Sequence, residues 1–168
     1  MNDNLYINNA GIVLLHPYIK VLFEKLGLTE NDAFISEEKQ LIAPHYLQYL
    51  ITGLSETEES FLTFNKMLCG LKIETKISNG IDISSEEESL LNSLLEAVIQ
   101  QWSALGETSL SVFRETFLLR ECRLNMQESE WNLKVVEKSF DMLLDRLPYS
   151  YSHIKLPWMD KMIQVIWR

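Results

Sequence analysis

The feature that most constrains this chain is a change in the period of its apolar residues between Phe117 and Cys122. Upstream, apolar residues recur with helical spacing. Ile19, Leu22, Phe23 and Leu26 follow i, i+3, i+4, i+7, and Leu91, Leu94, Leu95, Val98 and Trp102 share one face that Ile99 widens. Downstream the period falls to two. Cys122, Leu124 and Met126 alternate with Arg123, Asn125 and Gln127, and Trp131, Leu133 and Val135 alternate with Asn132, Lys134 and Val136. Helical stripes followed by alternating strands predict an α+β chain that is mostly α-helical, with a small β-hairpin or sheet near the C-terminus.

Within that frame, Leu5-Tyr6-Ile7 reads as a short strand or extended entry. A helix runs from Pro17 to about Leu26 and stops at Gly27, a C-cap residue. Thr29 to Asp32 is a turn. Ser36 caps a short helix whose first turn holds Glu37 and Glu38, and Pro44 kinks or restarts it. Ser55 or Thr57 opens a further helix with Phe61, Phe64 and Leu68 inward, ended by Gly70. Ile73 to Ser85 is a polar surface loop containing the turn dipeptide Asn79-Gly80. Ser85 and Glu88 have capping-box spacing, so a helix is expected from Glu86 to about Ala104, and its wide stripe makes it the candidate central helix. Thr108 or Ser109 caps the next helix, which carries Phe113 and Phe117 inward. After the hairpin, a helix from Ser139 to about Leu147 ends at Pro148, and Met162 to Trp167 supplies a closing strand.

The size, 168 residues with 46% hydrophobic content, suits one domain with a real core. The net charge of −9 and a pI near 4.8 argue against nucleic acid and against an anionic membrane surface as main partners. Arg114, Arg120 and Arg123 lie close together, but Glu115 and Glu121 sit among them, so a solvated mixed-charge face is the expectation. The N-terminus has no basic segment followed by an apolar stretch, and no apolar run approaches the ~20 residues that span a bilayer. Cytoplasmic synthesis and assembly are expected.

The search for chemistry returns little. Phosphate loops, dinucleotide fingerprints, GxSxG and HExxH are absent from the sequence. Cys69 and Cys122 form no CxxC pair; Cys69 reads as a buried thiol, and nothing requires a disulfide between the two. His16, His45 and His153 are far apart, and Glu86-Glu87-Glu88 reads most simply as favourable charge at a helix N-terminus. No enzyme activity, cofactor or metal is therefore expected. Trp102 and Trp131 lie on apolar faces and suit core packing. Trp158 and Trp167 lie in less periodic sequence, where packing and protein contact are equally open, and they are the candidate interface residues.

Several phrases, taken in order, resemble the C-terminal region of contractile injection system tape measure proteins. They begin with Asn9-Ala10-Gly11-Ile12-Val13-Leu14-Leu15-His16-Pro17-Tyr18 and continue through His45-Tyr46-Leu47 and Asn65-Lys66-Met67-Leu68-Cys69-Gly70-Leu71. Leu94-Leu95-Glu96-Ala97-Val98-Ile99 and Phe113-Arg114-Glu115 follow, then Leu143-Leu144-Asp145-Arg146-Leu147-Pro148 and Ile154-Lys155-Leu156-Pro157-Trp158-Met159. The resemblance covers about Leu5 to Trp167. It implies a structural part of a phage-tail-like particle, with residues 1–168 as one domain similar to the C-terminal domain of the family. Family members are usually longer, with a variable region ahead of this one. A compact chain of this size has a radius of gyration of ~15 Å and could not itself be a ruler for a long tube. The resemblance therefore implies an anchor for the tape, with inner-tube, hub or baseplate proteins as partners, association of copies, and a place inside the particle after assembly. A soluble adaptor or chaperone-like binding module is the alternative.

Overall fold

The computed structural model describes residues 4–168; Met1-Asn2-Asp3, part of the N-terminal stretch read above, lies outside it. Strand β1 (Asn4–Ile7) leads into a 3-10 segment, Ala10–Leu15, all of it buried. Helix α1 (His16–Lys25) carries Pro17 in its first turn, where the missing N–H does no harm, and Ile19, Leu22 and Phe23 face inward. Gly27 follows at φ +74°, as the stop signal predicts. The expected turn is the tip of a small hairpin, β2 (Thr29–Glu30) with β3 (Ala33–Phe34), and Asn31 and Asp32 adopt φ of +53° and +65°.

Helix α2 (Glu37–Thr52) corrects two expectations. Ser36 caps it as predicted, its hydroxyl accepting from the Lys39 N–H at 3.2 Å, but the helix passes through Pro44 without ending. Every residue from Ala43 to Ile51 is buried, so tertiary packing outweighs the lost backbone bond. That burial on all sides makes α2, not the later helix, the central one. Its C-terminus closes on Gly53 at φ +78°. Arg114 reaches across to donate from Nε to the Leu50 carbonyl at 3.0 Å.

Between Ser55 and Leu68 the expected single helix is broken into a 3-10 turn, Glu59–Phe61, and α3 (Thr63–Leu68). Phe64 and Leu68 are inward, but Phe61 is 53% exposed. The polar loop from Ile73 to Ser84 is stitched down at several points. His45 Nε2 donates to the Ser78 carbonyl at 2.7 Å, Ile77 N–H donates to Glu59 at 2.8 Å, and the Ile81 N–H reaches the Ser55 carbonyl.

Helix α4 (Ser85–Gln101) begins one residue earlier than read, with Ser84 and Glu87 forming the capping box. Trp102 ends it, fully buried, its indole N–H donating to the Leu143 carbonyl at 2.9 Å. Ser109 caps α5 (Leu110–Phe113), which widens into a π-helical turn, Arg114–Leu118. Phe113 and Phe117 pack against Trp102, as their phase predicts.

Strands β4 (Cys122–Met126) and β5 (Glu130–Val135) form the predicted hairpin. The expected helix after it is a 3-10 segment, Ser139–Arg146. The short β6 (His153–Ile154) and the closing β7 (Met162–Ile166) complete a five-stranded sheet of order β1-β4-β5-β7-β6, in which β5 and β7 run parallel. The parallel pair is possible because Val136 to Lys161 forms a crossover long enough to return the chain. Register aligns Leu5, Leu124, Leu133 and Val165 across the inner face. The outer face carries a polar row, Asn4, Asn125, Asn132, Gln164 and His153. One hydrophobic cluster runs from Ala10 to Trp167 and joins helices and sheet.

Candidate interface site

The sheet and the helices are seamed by a buried ion pair. Arg120 and Asp141 are both 0% exposed. The guanidinium meets the carboxylate with both terminal nitrogens, Nη1 to Oδ2 at 2.7 Å and Nη2 to Oδ1 at 2.9 Å. Nη1 and Nη2 also donate to the Val136 and Thr116 carbonyls. Burial pushes the Asp141 carboxyl up, but Arg120, the Lys138 N–H and the Trp167 indole more than offset this and hold it below its usual range. Arg120 is thus not part of a solvated face. Arg114 caps α2, and of the three arginines only Arg123 is exposed.

The two candidate tryptophans are placed in different parts of the fold. Trp167 is 4% exposed, donates its indole N–H to Asp141 Oδ2 at 2.9 Å, and stacks under the Arg120 guanidinium. Trp158 is half-buried. It stacks on Phe23 with centroids 5.5 Å apart, contacts Phe34, and donates to the Leu68 carbonyl at 2.7 Å. Gly70, at φ +73°, lets the Trp158 carbonyl approach; a Cβ there would sit 2.4 Å from that oxygen. Most of both ring surfaces is therefore used within the chain, and only Trp158 keeps appreciable exposure.

A second buried polar cluster lies among the helices. Asn9 Nδ2 donates to Gln48 Oε1 at 3.1 Å and to Asn65 Oδ1 at 2.7 Å, and Asn65 Nδ2 donates to the Pro44 carbonyl at 3.0 Å. These amides tie the 3-10 entry, α2 and α3 together.

The histidines and cysteines are each accounted for locally. His16 Nε2 donates to the Ser150 carbonyl, and burial lowers its pKa. Cys69 and Cys122 are free and buried; burial raises both thiols, Cys122 to about 12, which leaves them un-ionised at neutral pH. Among the described residues no group of three His, Cys, Asp or Glu side chains is placed to hold a metal. No helix of the described residues is long and apolar enough to cross a membrane.

A groove of about 950 Å³ crosses the end of the sheet where β1, β5 and β7 finish and β4 begins. Cys122, Val135, Trp167 and Phe64, all buried, lie at its base. Tyr6, Phe61, Val136 and Ile166, each about half exposed or more, form its rim, with Arg123, Lys134 and Arg168 beside them. Register places Tyr6, Arg123, Lys134 and Ile166 in one cross-strand row on the outer face. Sequence reasoning did not find this groove. The one available signal was an apolar residue in the solvent-facing phase of a strand, as Tyr6 and Ile166 are; the pairing that lines them up is not readable from spacing.

The fold is thus a packed α+β module with a groove of mixed apolar and charged lining at one end of its sheet. The model of the contractile injection system tape measure protein family matches residues 1–167, and the chain belongs to that family. The family is a structural component of the injection machine. No curated protein and no solved structure matches the chain significantly.

Proposed function

We propose that residues 1–168 act as one C-terminal domain that anchors a tape measure protein at one end of the tube. The observation that carries this reading is the continuous core from Ala10 to Trp167, locked by β7 between β5 and β6. A body so closed has a radius of gyration of ~15 Å and suits a fixed attachment better than a ruler. The partners in this reading are inner-tube, hub or baseplate proteins, with copies associating around the tube axis. Assembly takes place in the cytoplasm, after which the domain lies inside the particle. Trp158 remains the first candidate contact, through its exposed edge. Trp167 contributes from the base of the groove, by holding the end of β7.

The test is tube length measured by electron microscopy in the source organism. Residues inserted into the Ile73–Ser84 loop should leave tube length unchanged, because an anchor does not measure. Deletion of the domain should abolish particles or scatter their length. Length that grows with the insertion would show that this segment is part of the ruler. Normal particles after the deletion would move the adaptor reading ahead.

A further inference from the structure

The groove at the end of the sheet joins two features that a solvated surface does not need. Four large apolar side chains, Tyr6, Phe61, Val136 and Ile166, are exposed around one concavity. The chain as a whole carries a net charge of −9, yet the groove is lined by more cations than carboxylates. Arg168 is held by Glu137 and Asp145, whereas Arg123 and Lys134 make no ion pair among the described residues. Arg123 instead lies over the Tyr6 ring at 5.7 Å, which keeps the aromatic and the charge together at the mouth.

We propose that this groove docks a segment of a partner protein that combines apolar side chains with acidic ones. The apolar side chains fill the space between Phe61 and Ile166, and the carboxylates meet Arg123 and Lys134. The charge pattern selects this occupant. A basic segment would meet Arg123 and Lys134 with like charge, and a nucleic acid brings no apolar side chains for the groove and is repelled by the net charge of −9. Two grooves facing each other about a two-fold axis would set Arg123 and Lys134 of both copies together, with Glu121 the one lining carboxylate not already paired with Arg168. The volume, about 950 Å³, is ample for a short stretch of peptide. The inference deepens the anchor reading by stating the chemistry of its attachment, and it rests on that reading only for where the partner comes from.

The experiment uses the full chain and two short fluorescein-labelled peptides, one alternating Glu with Leu and one alternating Lys with Leu, followed by fluorescence anisotropy. The acidic peptide should bind at least about tenfold more tightly than the basic one, an energy difference of roughly 1.4 kcal/mol. The double variant Arg123→Glu, Lys134→Glu, its fold checked by an unchanged melting temperature, should reverse that preference. Phe61→Ser should weaken both peptides. Equal binding of the two peptides, or a preference unaffected by the charge reversal, would overturn the proposal. So would self-association of the wild-type chain, seen by sedimentation and abolished by the charge reversal, because the occupant would then be a second copy. None of these readouts depends on particle membership, so the docking proposal and the anchor reading fail separately.

Discussion

In the buried cluster that ties the 3-10 entry to α2 and α3, the polar groups are neutral amides, Asn9, Gln48 and Asn65, bonded mainly to one another. Where the sheet meets the helices, they are the full charges of Arg120 and Asp141, roofed by Trp167. Both clusters join segments far apart in sequence, yet they should fail differently. Removing one amide leaves neutral groups short of a partner. Removing one member of the ion pair leaves an isolated charge in an apolar interior, which is far more costly. The comparison teaches that the last strand and Trp167 are attached through a contact that tolerates the loss of a partner less well than the amide cluster does.

The sharpest way to break this comparison is at the ion pair. Asp141→Ala or Arg120→Ala should each destabilise the chain by about 3–5 kcal/mol in urea unfolding. The double replacement Arg120→Met, Asp141→Leu should recover much of the loss. If either single variant is as stable as the parent, the pair is not the fastening described. A backbone contact comes next. A Cβ at Gly11 would lie 1.8 Å from the Phe117 carbonyl oxygen, so Gly11→Ala must push the 3-10 entry away from the π-helical turn. Overpacking of this kind costs about 1–3 kcal/mol, and a melting curve reads it directly. Asn65→Ala, which strips partners from Asn9 and Gln48, should cost about 1–3 kcal/mol and thus fall below the ion-pair variants. An Asn65 effect larger than that of Asp141 would reverse the comparison.

The smallest expected effect is in pH. The His16 pKa is lowered in the fold from its ordinary 6.5 by burial, so on acidification the unfolded chain takes up that proton first. Stability should begin to fall as pH drops through about 6.5, and His16→Gln should remove that phase. Asp141 is depressed below its ordinary 3.8, so its contribution is present above about pH 4 and is lost as pH falls through the lower folded value. Denaturant midpoints measured from pH 8 downwards should therefore show two declines. A single decline near pH 4 that His16→Gln does not alter would remove the histidine from the account.

The fold class was legible because period is a local property. The stripes over Ile19–Leu26 and Leu91–Trp102 and the alternation over Cys122–Val135 each depend only on residues close in sequence. The errors fell where distant contacts decide. Pro44 looked like a helix break, but burial on every side holds α2 continuous. Arg120 looked solvated among Glu115 and Glu121 because its true partner, Asp141, lies beyond the whole hairpin. The groove was invisible for the same reason. Tyr6, Phe61, Lys134 and Ile166 come from four separate segments, and only the register of β1, β4, β5 and β7 and the exposed turn at Glu59–Phe61 set them side by side. The family likeness was readable because its phrases are mostly core residues, whose order along the chain carries the fold.

The central claim is that this is a compact anchor fixed at one end of a tube, and cross-linking mass spectrometry on intact injection particles tests it most directly. The account predicts cross-links from Lys134, Lys155 and Lys161 to proteins of one end of the particle only, with intrachain links that match a closed fold. Cross-links from these lysines distributed along the tube-forming subunits would contradict it, because the segment would then be laid out along the lumen as part of the ruler.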